Sequence, residues 1–438
     1  MIKNLKSKIK QINEIGYLKF IGKNKGLLIV LLIFAFALCL RAYQPGIKNP
    51  FGYDQVDNAW AAKNLIVNHR FPLTGMVAKA DSGIYIGPGY YYLVAFFYWI
   101  FGLNAQASFA IAFATAIFTF WTVYYVTYKM LGKEVAFIAT IINAFNFKSI
   151  VFDGVQWPVQ LLPAVSLIIF YLLYKVISGD VRKLIPLAFA IGVAFNLHFT
   201  AIFFPIIVIL TLPLFPRTKE TVKYILFALP FFLIWMVPSI IYFLTDRFAN
   251  SAAGGYLTTY YQGFHLRRML QIMGDALIQF DPYLVLDKLA PLKYLLLPLF
   301  FAVYYLKNTK PENIRFLYLT AIWILVPWMV FTTYSGEISD YYFIISRFVV
   351  LMLLVYLIYL FWELRFRLAK ITVVLFLLIY SVYGVMQFLP GKDVNNLTGE
   401  EARVKAAVSQ GRKIGYQLGV PDSYLYWYAM WKKGKNVY

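Results

Sequence analysis

The chain has 438 residues, of which 61% are hydrophobic, 19% aromatic and only 14% charged. Soluble domains carry about 25% charged residues, so this composition indicates a membrane protein and excludes an ordinary soluble domain. The formal net charge of +21 comes from short basic clusters between apolar runs, whereas a nucleic-acid-binding protein would gather its basic residues on one surface.

The first predicted element is a lysine-rich segment, residues 1–25, followed by an apolar run at 26–43. A bilayer core needs about 20 apolar residues per helix, so this run predicts an uncleaved first span with a cytoplasmic N-terminus. Ten further runs give about 11 transmembrane helices in all; they are 105–129, 134–151, 158–177, 184–197, 199–215, 224–244, 290–307, 315–333, 341–362 and 370–389.

Basic clusters fall at every second turn between these spans, which predicts that those turns face the cytoplasm. The C-terminus and the long loops 44–104 and 245–289 then lie outside the cytoplasm. The tyrosine-rich run 89–102 is predicted to lie at the outer interface, because a span there would reverse every later cluster. The clusters are Lys129/Lys133, Lys175/Arg182/Lys183, Arg217/Lys219/Lys223, Lys307/Lys310/Arg315 and Arg365/Arg367/Lys370.

Two outer segments complete the predicted organisation. In the loop 245–289, apolar positions of the stretch 264–280 recur at three- and four-residue spacing, which predicts an amphipathic helix. Residues 390–438 form a tail too small to hold a strong core alone, so it is predicted to pack on the outer face of the transmembrane module 1–389.

The inner loops are short and basic, whereas the outer segments collect polar side chains, including Asp81. There is no nucleotide-phosphate loop and no Cys/His metal spacing, so no cofactor is predicted, although the outer carboxylates are compatible with a divalent cation. The candidate catalytic residues are Asp54, Asp57 and Asp153, and the candidate substrate- or phosphate-binding residues are Gln55, Lys79, His198, His265, Arg268, Tyr342 and Arg347.

This set of side chains fits one kind of chemistry. A reaction outside the cytoplasm has no nucleotide pool, so an activated sugar must arrive on a lipid. A sugar on polyprenyl phosphate has a stabilised leaving group. Its transfer needs one carboxylate to take the acceptor's proton and cations to hold the phosphate. A single displacement would invert the anomeric centre, by analogy with inverting hydrolases.

Five stretches resemble the GT-C glycosyltransferases of the protein O-mannosyltransferase and aminoarabinose-transferase type, over residues 25–390. They are "YDQVDNAWAAKNLIVNHRFPLTG", "GPGYYYLVAFFYWIFG", "FDGVQWPVQLLPAVSLIIFYLLYK", "GVAFNLHFTAIFFP" and "DYYFIISRFVVLMLL". The resemblance implies an all-α polytopic fold and an inverting transferase that uses a polyprenyl-phosphate sugar. By position, Asp54 matches the family's catalytic aspartate and Asp153 a second outer-turn aspartate.

The sequence departs from the family pattern at two positions. Gln55 stands where the family usually has a glutamate, and Gly87 stands where a phosphate-binding lysine precedes the proline. The resemblance therefore leaves the phosphate to Lys79, Arg268 or Arg347.

Simpler interpretations stay open. Asp54 and Asp57 also suit N-caps of a helix over "NAWAAKNLIV", Asp153 suits a turn before Gly154, and His198 suits a structural role at a tight turn. At the level of function, the alternatives are a lipid-linked sugar flippase or transporter, and an outer-face glycan polymerase or ligase. The predicted partners are the lipid-linked donor, a protein, lipid or glycan acceptor, and the lipids of the cytoplasmic membrane, but no nucleic acid.

Overall fold

The computed structural model describes residues 25–79, 82–284, 287–308, 310–435 and 437. The predicted cytoplasmic segment before Lys25 and the candidate Asp81 lie outside these residues. Within them the protein is helical, and its β contacts are isolated bridges such as the one between Val77 and Tyr85. The predicted all-α class is confirmed.

The described residues form twenty α-helices, numbered here in chain order. They are α1 (Lys25–Arg41), α2 (Pro45–Lys48), α3 (Tyr53–Ile66), α4 (Gly89–Ile100), α5 (Ala107–Leu131), α6 (Lys133–Phe145), α7 (Phe147–Asp153), α8 (Pro158–Ile177), α9 (Leu184–Phe195), α10 (Phe203–Thr211), α11 (Lys219–Thr245), α12 (Arg247–Tyr260), α13 (Leu266–Gln271), α14 (Met273–Ala276), α15 (Lys293–Lys307), α16 (Pro311–Phe331), α17 (Arg347–Trp362), α18 (Arg367–Phe388), α19 (Leu397–Ser409) and α20 (Pro421–Trp431). Short 3₁₀ turns lie at Val181–Lys183, Phe199–Ile202, Leu212–Leu214, Ile278–Phe280, Asp287–Leu292 and Asp340–Ser346.

Seven helices of the described chain are long and apolar enough to cross a membrane, or eight if the bent pair α6 and α7 is one span. The predicted count of eleven is not confirmed. The runs at 26–43 and 199–215 give shorter apolar helices, Leu28–Arg41 and Phe199–Leu214. The helix α9 has 12 residues. At 1.5 Å per residue it reaches only about 18 Å, less than the thickness of a bilayer core.

The helix predicted at 134–151 is bent by 71° between α6 and α7. Asn146 lies at the break, where its side chain accepts a hydrogen bond from the Ser149 N–H at 2.7 Å and donates one to Tyr380 Oη at 2.7 Å. Gly384 of α18 packs against the same break, because a Cβ there would overlap the Phe145 carbonyl oxygen. The last span therefore supports the bend between α6 and α7.

The predicted amphipathic helix at 264–280 is wrong as a single element. The structure divides it into α13, α14 and the 3₁₀ turn Ile278–Phe280. The Met269 carbonyl accepts a hydrogen bond from Trp328 Nε1 at 2.9 Å, and Gln279 Nε2 donates to the Asp340 carbonyl at 2.9 Å. The first of these hydrogen bonds satisfies a backbone carbonyl that a continuous helix would otherwise pair internally, and the second ties the 3₁₀ turn to Asp340.

The C-terminal tail packs on the loop 44–104. The Phe51 N–H donates to the Asn395 carbonyl at 2.8 Å, which joins the tail to the start of α3. On α20, Tyr424 is fully buried and donates its hydroxyl to the Leu103 carbonyl at 2.7 Å. Its ring meets Trp60 of α3 edge to face, with centroids 5.3 Å apart. The tail is thus part of the scaffold that holds α3.

Candidate active site

The two aspartates of α3, in the loop 44–104, have different surroundings. Asp57 on α3 accepts a hydrogen bond from Tyr91 Oη on α4 at 2.5 Å. Burial raises the pKa of Asp57, and this hydrogen bond opposes the rise. Asp54 is half-buried, and no described residue forms a hydrogen bond or ion pair with its carboxylate.

Burial, and secondly the charge of Asp57, raise the pKa of Asp54 to about 6. A carboxylate with this pKa is ionised at neutral pH and is a stronger proton acceptor than an ordinary aspartate. Asp54 is therefore the better placed of the two aspartates to act as a base.

Gln55 is buried, and both ends of its amide contact protein. Its oxygen accepts from the Gly52 N–H at 2.9 Å, which caps α3, and its nitrogen donates to the Gln156 carbonyl at 2.8 Å. The Gln156 side chain donates in turn to Tyr90 Oη at 3.0 Å. An ionised glutamate could make the first contact but could not donate the second. Gln55 thus links α3 to the turn after α7. A contact between Gln55 and the substrate remains a prediction.

Asp153 is buried at the end of α7 and pairs with Arg41 at the end of α1. Arg41 Nη2 and Nε donate to Asp153 Oδ2 at 2.9 and 3.0 Å. The same guanidinium donates to the Ala144 and Asn143 carbonyls at 2.5 and 3.1 Å, in the last turn of α6. Arg41 therefore closes both sides of the bend between α6 and α7.

Arg347, at the first position of α17, lies beside this ion pair. Its Nη2 donates to Ser149 Oγ at 3.0 Å, and its guanidinium carbon lies 4.4 Å from the centroid of the Phe152 ring. The side chain is buried. It adds a second cation to the space around α7.

His198 and Tyr342 lie in a group of aromatic side chains near the turn that follows α7. His198 Nδ1 is 2.9 Å from Thr200 Oγ1, and its ring centroid lies 5.9 Å from that of Tyr342. Tyr342 is buried and stacks on Phe331. Tyr341 connects this group to the turn after α7, because its ring meets that of Trp157 with centroids 5.3 Å apart.

The remaining candidates lie on more peripheral segments. Lys79 is half-buried in a hairpin whose backbone pairs residue 75 with residue 86 and residue 78 with residue 84. Arg268 is half-buried on α13 and donates to the Gly336 carbonyl at 3.1 Å. His265 is exposed immediately before α13. Among the described residues, no hydrogen bond or ion pair joins His265 or Arg268 to the aspartates of α3.

The turn 152–157 brings the candidate residues together. Within it, Asp153 pairs with Arg41, Gln156 contacts α3 and α4, and Trp157 contacts the His198 group. Sequence reasoning missed Arg41, Tyr91, Gln156 and Trp157. A cation at the end of the first apolar run was the available signal for Arg41. Among the described residues, no group of three or more His, Cys, Asp or Glu side chains could hold a metal ion.

Comparison with known families and with solved structures gives matches of both kinds. The family described as dolichyl-phosphate-mannose-protein mannosyltransferase matches residues 86–242, which begin after Asp54. The crystal structure of ArnT from Cupriavidus metallidurans bound to undecaprenyl phosphate matches with a TM-score of 0.53 and 12% identity, covering 91% of this chain and 74% of that one.

ArnT from the same organism in the apo state matches with a TM-score of 0.50, the same identity and the same coverage. No curated protein sequence matches the chain. At this identity the structural likeness shows the fold alone, and the chain has a fold like that of ArnT. The family match spans residues 86–242, a little over a third of the chain, and shows similarity to dolichyl-phosphate-mannose-protein mannosyltransferases over that part. The chain is a multi-span membrane protein.

Proposed function

We propose that the protein transfers a sugar from a polyprenyl-phosphate donor to an acceptor hydroxyl, with inversion, on the extracytoplasmic face of the membrane. The observation that carries this proposal is the Asp54 carboxylate, which has no hydrogen-bond partner in the described chain and a pKa of about 6. The donor class is supported by the family description, which names a dolichyl-phosphate sugar, and by the undecaprenyl phosphate bound to ArnT.

In this reaction Asp54 accepts the acceptor's hydroxyl proton as the hydroxyl oxygen attacks the anomeric carbon. The bond between that carbon and the phosphate oxygen breaks, and polyprenyl phosphate leaves with the electron pair. Lys79, Arg268 and Arg347 are the proposed cations for the developing negative charge. Asp153 is assigned a positioning role, because its Oδ2 accepts both hydrogen bonds from Arg41.

The choice of face rests on the positions of the basic clusters. On α8, Lys175 lies at the end opposite Trp157, and on α17 the helix runs from Arg347 towards the basic turn that holds Arg365. The turn 152–157 and the basic clusters thus lie at opposite ends of these helices. By the positive-inside rule, the basic ends face the cytoplasm, which supports an extracytoplasmic site.

The test is transfer by purified protein supplied with radiolabelled polyprenyl-phosphate sugars. We expect Asp54→Asn to lower the rate by about 10²- to 10⁴-fold, the contribution of a general base. Asp180→Asn, the same substitution at an exposed carboxylate near Lys183, is the matched control and should keep the wild-type rate. Equal rates for wild type and Asp54→Asn would reject Asp54 as the base. Movement of intact lipid without loss of sugar would instead support a flippase.

A further inference from the structure

The C-terminal tail contains a cleft that the proposed reaction does not use. It lies between α19 and α20 and has a volume of about 400 Å³. Val404, Val408 and Leu425 form an apolar floor. Ligand sites in proteins have this size and are mainly apolar with a few polar groups, so the cleft is large enough to hold part of a small molecule.

Three lysines surround this floor. Lys405 follows Val404 on α19, whereas Lys432 and Lys433 follow the end of α20, and all three are exposed. No ion pair of these lysines occurs in the part of the chain that the structure describes. One acidic side chain, Glu401, also borders the cleft, and burial raises its pKa above the ordinary value. The cleft therefore carries uncompensated positive charge.

Other acidic side chains of the tail do not neutralise this charge, because they pair elsewhere. Arg403 forms an ion pair with Glu400 and lies 3.8 Å from Asp422. These contacts join α19 to α20. Lys432 Nζ lies 5.5 Å from the centroid of the Tyr428 ring, a contact that leaves its charge unneutralised, so an anionic ligand is the partner that these three lysines fit.

The tail that contains the cleft follows directly from the last span. That span, α18, ends at Phe388, and the Lys48 ammonium at the end of α2 donates to the Leu389 and Gly391 carbonyls at 2.7 and 2.8 Å. Next to the cleft, Trp431 is 40% exposed. Tryptophan and lysine together are typical of the membrane interface, where lysines attract anionic lipids.

We propose that this cleft binds the headgroup of an anionic membrane lipid, with the phosphate between Lys405, Lys432 and Lys433 and the glycerol region on the apolar floor. A lipid is favoured over a soluble phosphorylated ligand because the tail follows directly from the last span and exposes Trp431. The same helix, α20, carries Tyr424, which packs on Trp60 of α3. Lipid binding therefore holds the tail against the helix that carries Asp54.

Hydrogen exchange of residues 397–431 tests this proposal on the full chain in nanodiscs of phosphatidylcholine with and without phosphatidylglycerol. We expect phosphatidylglycerol to slow exchange by about fivefold for each lysine that engages a headgroup, and added salt to reduce the effect. The variant Lys405→Gln/Lys432→Gln/Lys433→Gln should lose this response. The single variant Lys405→Gln should lose part of it.

The matched control, Lys392→Gln/Arg412→Gln/Lys413→Gln, removes three charges from exposed tail residues outside the cleft and should respond as the wild type does. Identical wild-type exchange in the two lipid mixtures would overturn the proposal, and so would equal losses in both triple variants. Protection by soluble glycerol 3-phosphate in phosphatidylcholine nanodiscs alone would also overturn it, in favour of a free phosphorylated ligand.

Discussion

Replacing Asp57 with asparagine tests how the site sets the basicity of Asp54. The pKa of Asp54 rises from 3.8 to about 6, with burial as the larger cause and the Asp57 charge as the second. Asp57→Asn removes the charge and keeps an oxygen that accepts from Tyr91. Because burial persists, at least half of the rise should remain, which leaves the pKa of Asp54 no lower than about 5.

The direction in which the pH profile of kcat/KM should shift follows from the role of Asp54 as a base. Only the ionised carboxylate accepts a proton, so kcat/KM should fall as the pH drops through the pKa of Asp54. Removing a neighbouring negative charge favours the ionised form. The acid limb of the profile should therefore move from about pH 6 towards pH 5, a change of at most about 1.4 kcal/mol in the ionisation of Asp54.

The measurement is kcat/KM for sugar transfer against pH, for wild type, Asp57→Asn and the control Asp180→Asn. The control should leave the acid limb in place. An upward shift in Asp57→Asn would contradict the proposed electrostatic coupling. Complete loss of activity in Asp57→Asn, with activity retained in Asp54→Asn, would make Asp57 the base and refute the assignment.

Two further predictions concern the support beneath the site. Arg41→Met leaves the buried Asp153 without its partner and should lower the free energy of unfolding by about 3–5 kcal/mol. The double variant Arg41→Met/Asp153→Asn should recover part of this loss. Thermal unfolding in detergent measures both, and an unchanged midpoint for Arg41→Met would contradict the pairing. Gly384→Ala should destabilise by about 1–3 kcal/mol because its methyl group meets the Phe145 carbonyl. The control Gly255→Ala, in a helix position with open space, should be neutral or stabilising, and similar losses for both variants would argue against close packing at the bend.

Much of the fold was predictable because apolar length is a local property of the sequence. The runs at 105–129, 158–177 and 370–389 correspond to α5, α8 and α18 within a few residues. The number of spans was less predictable, since a break such as the one at Asn146 depends on a hydrogen bond to Tyr380, 234 residues away.

The candidate site was predictable in residue types but not in pairings. An aspartate after the first apolar run pointed to Asp54, whereas the partner of Asp153 was not apparent, because Arg41 lies 112 residues earlier. Gln55 illustrates the same limit. Its sequence position suggested contact with substrate, yet in the folded chain its amide joins Gly52 to Gln156.

The sequence alone determined that this is a helical membrane protein, since hydrophobic run length and the spacing of basic clusters do not depend on distant contacts. Tertiary structure alone decided that Arg41 neutralises Asp153 and that the tail supports α3. It also decided that Asp54 has a raised pKa, because burial and neighbouring charge arise only when remote segments pack together.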